Sequence, residues 1–465
     1  MMKQLQPNDW GLETAQNGEL VVAGCKAIDL SSAYGTPLHV INEERLGLTA
    51  RRFLESARAA YRGSVSVHYP FKCNSLPAVL DTVKRAGMAA EVMTPFELHL
   101  ATRLGYSGRD IIVNGPCKTE DFIRECLDLS VRFVIVDSLE ELAILQRLAA
   151  AAGCSVDILL RVNPDYIPRG MNRGSATGSR TGCAFGLDWK GGEIEVALDM
   201  LIRSRAARFR GFHFHIGTGI NRPRDYAAAL GCLPNIVGQA RARGLSVRVL
   251  DVGGGIASPT SREFTSFEML KYQALGILPE LRRPRRAAAL DDFTGAISRM
   301  VEQVFFDDEL PELIYEPGRC IASQNQFLLL TVHRVKRRGN ATWLITDGGL
   351  GTVTLPTFYE SHEVFLCNDI RRDRKSNATI IGPACFAGDV VYRNKMMPEV
   401  NPGEVLAVMD SGAYFNALES TFGFPRPAVV AVRRGIRSLV RRRETYEEMT
   451  ERDILISETK EEVLS

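Results

Sequence analysis

Between about Ser64 and Arg319 the chain alternates short, apolar β-rich runs with stretches of helical spacing. Thr119–Leu127 is such a helical stretch, because it opens on a capping-type threonine and carries apolar residues at helical intervals. Eight β-rich runs punctuate this region: Val67–Lys72, Ala89–Met93, Asp110–Gly115, Arg132–Asp137, Val156–Val162, Gly211–Gly217, Val247–Gly253 and Leu313–Gly318. Eight parallel strands close a TIM (β/α)8 barrel, which we predict; an open doubly wound sheet is the alternative that strand count leaves open.

The pattern of predicted secondary structure changes after Arg319. Strand-like runs now follow one another with few helices between them: Phe327–Val335, Thr342–Thr346, Glu404–Met409 and Ala428–Val432. This pattern predicts a separate β-rich domain, sandwich-like or barrel-like. Pro37–Ile41 is also β-like and is expected to pair with that domain. We therefore predict an α/β protein divided into an N-terminal segment (1–43), a barrel (44–319) and a C-terminal β domain (320–465).

Composition narrows the function classes. The 465-residue chain has a formal net charge of +2, which gives no reason to expect nucleic-acid binding. Its first residues lack the apolar core of a signal peptide, and no uncharged apolar run is long enough to span a bilayer. We therefore expect a cytoplasmic protein with no membrane partner. None of the ten cysteines forms a CxxC pair, so no metal site is predicted.

Polar groups cluster at the carboxyl ends of the predicted barrel strands. In barrels the reactive side chains lie at that face. The groups found there are Lys72, Glu91, Asn114, Arg161, His215, Gly253–Gly255, Glu316 and Arg319. Their convergence predicts an active site.

Each of these groups also has a plainer interpretation. Lys72 could extend to solvent, but a desolvated amine would have a lowered pKa and could act as a nucleophile. Gly253–Gly255 could form a tight turn or let backbone N–H groups approach a phosphate. Glu316 and Arg319 could form a surface ion pair, or bind a ring nitrogen and a phosphate or carboxylate.

Six motifs occurring in order resemble those of the diaminopimelate/ornithine decarboxylase family, whose fold is the alanine-racemase-like barrel. They are Phe71–Asn74, Gly211–Thr218, Leu250–Gly255, Glu316–Arg319, Cys385–Asp389 and Asp410–Tyr414. The resemblance runs from about Pro37 to about Asp453. It implies a pyridoxal 5'-phosphate-dependent decarboxylase of a small-molecule amino acid, working as a head-to-tail homodimer with shared active sites.

The resemblance also implies residue roles. Lys72 matches the Schiff-base lysine, and His215 the histidine that stacks on the pyridine ring. Cys385, supplied by the partner subunit in this family, matches the acid that returns a proton after carbon dioxide leaves. The remaining implied cofactor contacts are Glu316 at the ring nitrogen, Thr218, Gly254, Gly255, Gly318, Arg319 and Tyr414 near the phosphate, and Glu91 and Arg161 around the lysine. The implied substrate contacts are Arg319, Tyr359, Phe386 and Tyr414.

Two positions depart from the diaminopimelate decarboxylase pattern. Leu355 occupies the position of the arginine that binds the distal carboxylate of the substrate in that pattern. Phe386 occupies the position of the glutamate that follows the catalytic cysteine. A distal charge desolvated without a partner costs several kcal/mol. The sequence therefore favours a modified or conjugated amino acid as substrate, with the basic loop Arg371–Lys375 either meeting an acidic group or simply solvated. The alternatives are true diaminopimelate or basic amino-acid decarboxylation, a racemase on the same barrel, and a non-catalytic regulatory relative.

Overall fold

Eight parallel strands form a closed barrel in the computed structural model, which describes residues 3–168, 170–171, 174–279, 282–283, 288–306, 309–354 and 356–455. The barrel strands are Val65–Pro70, Ala89–Val92, Ile111–Val113, Phe133–Val136, Val156–Asn163, Ala207–Phe214, Val249–Asp251 and Glu312–Tyr315. The eighth strand pairs with the first, with Leu313 opposite Val65, and the fourth pairs with the fifth. This closure confirms the predicted TIM barrel and excludes the open sheet.

Helices cover the outside of the barrel. The main ones are Glu43–Ala60, Pro77–Arg85, Pro95–Arg103, Glu120–Asp128, Leu139–Ala151, Glu193–Ile202, Pro223–Ala229, Leu233–Ala242, Ser266–Leu275 and Leu290–Val304. Several start at a capping side chain: Thr94, Thr119 and Ser138 each accept the N–H of the residue three positions on. Within the described ranges, no helix combines the length and the apolar character needed to cross a membrane.

A second sheet follows the barrel. It contains Gln326–Arg338, Ala341–Thr346, Val364–Leu366, Arg374–Ile381, Val390–Pro398, Val405–Val408, Ala428–Arg433 and Ile436–Arg441. Leu38–Asn42, from the start of the chain, lies antiparallel to Gln326–Arg338 and parallel to Ala428–Arg433. The barrel plus a separate β-rich domain is therefore the observed architecture. The pairing supports the division at 43/44 and 319/320, which stays a prediction.

Short elements complete the described chain. They are the strands Lys3–Gln4, Leu12–Thr14, Leu20–Val22, Cys25–Lys26, Leu187–Asp188, Arg262–Glu263, Arg282–Arg283 and Glu360–Ser361, and the helices Ala27–Tyr34, Arg319–Ala322, Leu350–Val353, Pro356–Tyr359 and Tyr446–Thr450. Arg262–Glu263, from the loop after the seventh barrel strand, pairs antiparallel with Glu360–Ser361 of the β domain. This pairing brings a barrel loop and a β-domain segment together above the carboxyl ends of the strands.

The buried carboxylate of Asp410 joins the parts of the chain. Its Oδ2 accepts the indole N–H of Trp10 at 2.8 Å. Its Oδ1 accepts hydroxyl groups from Thr260, after the seventh barrel strand, at 2.6 Å and from Ser323, at the start of the β domain, at 3.2 Å. Four residues on, the backbone N–H of Tyr414 donates to a carbonyl beside Lys72 at 2.8 Å. The β domain is thereby fixed against the mouth of the barrel.

Candidate active site

Lys72 lies in a short turn, Phe71–Cys73, directly after the first barrel strand. Its Nζ donates to both carboxylate oxygens of Glu91, at the end of the second strand, at 2.8 Å and 2.7 Å. Burial favours the neutral amine, but the carboxylates of Glu91 and Glu316 outweigh it and raise the pKa of Lys72. The expectation of a lowered pKa is therefore wrong, because a buried carboxylate faces the amine.

Glu316 lies at the end of the eighth strand, buried among polar groups of neighbouring strands. Its Oε1 is 3.4 Å from Nε2 of His213, which faces the barrel interior on the sixth strand. Burial raises the pKa of Asp251, and the neighbouring Glu316 carboxyl raises it further. Burial also raises the pKa of Glu316, against the opposing charges of Lys72 and Arg161. Asp251 is therefore held towards its neutral form beside Glu316.

His213, Asp251 and Glu316 offer ligand atoms within 4.8 Å of one another, a grouping that could also hold a cation. Two of its members, His213 and Asp251, were not among the predicted site residues. Asp251 precedes the glycine triplet within a recognised motif, so its position was a usable signal. The expectation that no metal binds stays a prediction.

The glycine triplet forms a cradle with no room for side chains. A Cβ added at Gly254 would lie 2.1 Å from the carbonyl oxygen of Glu316, and one at Gly255 would lie 2.1 Å from that of Gly217. The N–H of Gly254 donates to Nδ1 of His215 at 3.3 Å. Burial lowers the pKa of His215, so the imidazole is neutral and its proton is assigned to Nε2.

Gly254→Ala should weaken pyridoxal-phosphate binding by roughly 10-fold or more, because the new methyl group must displace backbone between two barrel strands. The matched control is Gly238→Ala, where an added Cβ meets nothing within 4 Å inside the helix Leu233–Ala242. Titration of apoenzyme with the cofactor, followed by absorbance, measures the effect. Equal affinities in both variants would contradict the cradle.

Arg319 is buried at the far side of the cradle. Its Nε donates to Oγ1 of Thr218 at 3.2 Å, and its Nη1 donates to Oε2 of Glu360 at 2.7 Å. The guanidinium carbon lies 5.0 Å from the ring centroid of Tyr414, whose pKa burial raises to about 12. Nη2 has no hydrogen-bond partner among the described residues. Tyr359 directly precedes Glu360 and is half-buried.

Arg161 lies on the fifth strand, opposite His213 in the sheet register. It is buried, with its Nη1 3.3 Å from a carboxylate oxygen of Asp137 and its guanidinium 4.5 Å from the ring centroid of Phe185. Its charge reaches Glu316 and the two histidines. Gly318 packs against Cys73, next to Lys72, where an added Cβ would lie 3.0 Å away.

Cys385 and Phe386 are exposed in the loop that precedes the strand Val390–Pro398. The carboxylate of Asp389 shapes that loop by accepting the N–H groups of Ala384 at 2.8 Å and of Leu350 at 2.6 Å. Within the described part of the chain, no hydrogen bond joins Cys385 to Lys72. Leu355 lies outside the described residues.

These groups together fit a phosphorylated pyridine aldehyde. A lysine amine, a buried carboxyl pair, a side-chain-free backbone cradle and an arginine nitrogen without a partner line one end of a closed barrel. Fold and site thus define the class of pyridoxal-phosphate enzymes built on a TIM barrel with a β-rich second domain.

Comparisons with known proteins agree with that class. The sequence model of the family described as "Pyridoxal-dependent decarboxylase, pyridoxal binding domain" matches residues 48–323. The chain is 30% identical over 454 residues to a diaminopimelate decarboxylase of Actinosynnema pretiosum, covering 97% of this chain and 96% of the relative. It is 26% identical over 447 residues to that of Methanocaldococcus jannaschii, covering 95% and 96%.

Solved structures are similar over almost the whole chain. The crystal structure of the Methanocaldococcus jannaschii diaminopimelate decarboxylase with L-lysine has a TM-score of 0.85 at 26% identity, covering 96% of this chain and 98% of the other. This chain belongs to the pyridoxal-dependent decarboxylase family that includes the diaminopimelate and ornithine decarboxylases. It is a pyridoxal-phosphate-dependent amino-acid decarboxylase, which confirms the family, cofactor and reaction class expected from the motifs.

Proposed function

We propose that this decarboxylase acts on diaminopimelate and releases lysine. The observation that carries the proposal is its similarity, over 94–97% of its length, to relatives named diaminopimelate decarboxylase. The comparisons give no support to a modified or conjugated substrate and favour the alternative raised from the sequence. The expectation of a modified substrate was based on the apolar residues Leu355 and Phe386. The fold brings a charged residue from outside the motifs, Glu360, to Arg319.

The basic loop gives an acidic carrier little to bind. Each charged side chain already has an acidic partner: Arg371 with Asp369, Arg372 with Glu404, Arg374 with Glu363 and Lys375 with Asp373. Only part of this segment is a loop, because Arg374 and Lys375 begin the strand Arg374–Ile381. Its ion pairs support the plainer interpretation of a solvated surface segment.

Pyridoxal phosphate, when bound, accepts the electron pair left by the broken carbon–carbon bond. Lys72 would hold the cofactor through its amine, which the amine of the substrate would replace. Glu91 positions the Lys72 amine through its two carboxylate oxygens. Glu316 would pair with the ring nitrogen, with Asp251 beside it held towards its neutral form. His215, positioned by the N–H of Gly254, would cover the face of the ring.

The phosphate end is held by backbone and by one buried cation. Gly254 and Gly255 present N–H groups where no side chain fits, and Gly318 closes the turn beside Arg319. Arg319, oriented by Thr218 and stacked on Tyr414, supplies positive charge. Tyr359, beside Arg319, and Tyr414 line the substrate side, and Arg161 adds positive charge near Glu316.

Cys385 acts in the active site of a second copy of the chain. Its Sγ returns a proton to the substrate carbon that has lost its carboxyl group. Around it lie exposed apolar side chains that a partner subunit would cover: Phe386 at 52% exposure, Leu418 at 48%, Phe422 at 56% and Phe424 at 42%. These features support a head-to-tail homodimer in which Phe386 also borders the partner's substrate.

Carbon dioxide release should be fastest from meso-diaminopimelate, with kcat/KM at least ~10³ times that for lysine, ornithine or arginine. The physical reason is that buried charged groups select a substrate that pairs with them. The assay is coupled carbon dioxide release, with chiral analysis of the recovered amino acid to detect racemisation. Turnover of a conjugated amino acid without turnover of diaminopimelate would contradict the proposal.

A further inference from the structure

Glu263 is a partly buried carboxyl group beside Arg319 that no family motif contains, and its Oε1 atom is enclosed. It lies in the short strand Arg262–Glu263, directly opposite Glu360 in the sheet register. Its carboxyl group packs against Gly219, where an added Cβ would lie 2.6 Å from Cδ. Gly219 follows Thr218, the residue that accepts a hydrogen bond from Arg319. The loop pairing thus brings a second carboxyl group to the guanidinium.

Two carboxylate oxygens there have no hydrogen-bond partner in the described part of the chain. They are Oε1 of Glu263 and Oε1 of Glu360, and both can accept a hydrogen bond from a cation. Oε1 of Glu263 and Nη2 of Arg319 are 3.8 Å apart, which is too long for a hydrogen bond. Buried polar atoms left unpaired are costly, so their clustering marks a place for a polar ligand group.

The charges of this cluster favour a cation. One guanidinium faces two carboxyl groups, and its Nη1 is already bound to Glu360. His362, 3.2 Å from Glu360, also turns to that carboxylate. The tyrosines at 359 and 414 are uncharged at neutral pH, because burial raises the pKa of each. Among the described residues, the ion pair of Glu263 is with Arg319 at 3.8 Å, and Glu360 already binds that guanidinium.

The pKa of Glu263 agrees with the small amount of positive charge near its carboxyl group. Burial and the Glu360 carboxylate raise its pKa to about 7, and the opposing effects of Arg319 and Ser175 only partly offset them. Glu360 behaves differently: burial opposes its ionisation, but Arg319 and His362 together outweigh burial and keep its pKa low. Glu263 is therefore the more readily protonated of the two carboxyl groups. A bound cation would stabilise its carboxylate and expel the proton.

We propose that Glu263 binds the distal ammonium group of a diamino-acid substrate. The proposal rests on the function proposed above, because it assumes that the substrate carries a second amino group. Glu263 would then replace, from a barrel loop of the same subunit, the acidic partner that Phe386 cannot supply. The plainer interpretation is that Glu263 only balances the charge of Arg319. The two interpretations differ in whether a ligand that lacks the distal ammonium binds more weakly than one that carries it.

The test uses the holoenzyme and two ligands of equal chain length, L-lysine and L-norleucine, in calorimetric titrations at pH 7 in buffers of different ionisation enthalpy. Wild type should bind lysine at least ~10-fold more tightly than norleucine. Lysine should release more protons per site than norleucine, because the exchange of the α-amino group with Lys72 is common to both ligands and only lysine brings a cation to Glu263. This excess should shrink at pH 8.5, where Glu263 is more fully ionised. Glu263→Gln should lose both the preference and the excess proton release.

Glu363→Gln is the matched control. Glu363 is a buried carboxylate three residues after Glu360. It pairs with Arg374 at 2.8 Å and with Lys395 at 3.5 Å instead of with Arg319. This variant should keep the lysine preference and the excess proton release even if its melting temperature falls. Should Glu263→Gln not fold, the lysine preference of wild type over norleucine decides.

An unchanged lysine preference in folded Glu263→Gln, or no lysine preference over norleucine in wild type, would overturn the proposal. Its failure is separable from failure of the proposed function. Diaminopimelate turnover with no dependence of lysine binding on Glu263 refutes only the role of Glu263. A lysine preference that depends on Glu263, in an enzyme that does not turn over diaminopimelate, refutes only the substrate.

Discussion

Lys72→Ala should lower kcat for decarboxylation by at least ~10³-fold and leave a protein that does not stay yellow after gel filtration. Lys72 is the amine at the mouth of the barrel, and its Nζ lies 2.7 Å from a carboxylate oxygen of Glu91. Without it the cofactor has no covalent anchor. The phosphate cradle remains, so added pyridoxal phosphate should still bind, weakly and reversibly.

Lys118→Ala is the control for loss of a buried lysine. Lys118 is also buried, with its Nζ 2.6 Å from a carboxylate oxygen of Glu141 and 2.6 Å from the carbonyl of Gly115. Its removal should lower the melting temperature, since Glu141 loses its partner, but should leave the colour intact. Full activity in Lys72→Ala, or loss of colour only in Lys118→Ala, would refute the assignment.

Cys385→Ala should keep the colour and lose roughly 10²- to 10⁴-fold in kcat, the range expected when a general acid is removed. The proposed cofactor contacts other than Tyr414 lie on the barrel, whereas Cys385 is exposed on a β-domain loop. Cofactor affinity should therefore stay near that of wild type. Ala384→Ser, in the same loop, is a control that should change kcat little.

Mixing the two inactive variants tests whether the site is shared between subunits. If Lys72→Ala and Cys385→Ala dimers exchange subunits at random, half are mixed dimers with one intact site in two, which gives about 25% of wild-type activity. The intact site combines Lys72 of one chain with Cys385 of the other. No recovery, despite exchange shown with differently tagged subunits, would mean that each chain supplies its own cysteine or none.

The barrel and most of its polar mouth could be predicted from the sequence. Each of the eight strands is a short apolar run, and parallel strands place their carboxyl ends on one face. Lys72, Glu91, His215 and Glu316 therefore had to lie near one another once the barrel closed. The cradle followed from Gly253–Gly255, because consecutive glycines after a strand indicate close backbone approach.

Electrostatics within the mouth could not be predicted in the same way. The sign of the Lys72 pKa shift depends on Glu91 facing the amine, which requires the register of the first two strands. The raised pKa of Asp251 depends on Glu316, and the two lie on strands that are more than sixty residues apart in the chain. Strand order can be inferred from a pattern, but distances of a few ångströms cannot.

Glu263 and Glu360 were beyond sequence reasoning for a different reason. They meet because a barrel loop pairs with a two-residue strand of the β domain, and a pairing that short has no periodic signal. The substrate expectation considered only positions 355 and 386 and so missed the acid opposite Arg319. A loop pairing of this kind adds charged side chains to a site while leaving the sequence motifs unchanged.

Borohydride reduction of the holoenzyme followed by peptide mapping tests the central claim most directly. Reduction should bleach the yellow colour and leave one pyridoxyl phosphate group, by mass, on the peptide that contains Lys72. Lys118 and every other lysine should be unmodified. A label on another lysine, or bleaching with no labelled peptide, would contradict the account of this active site.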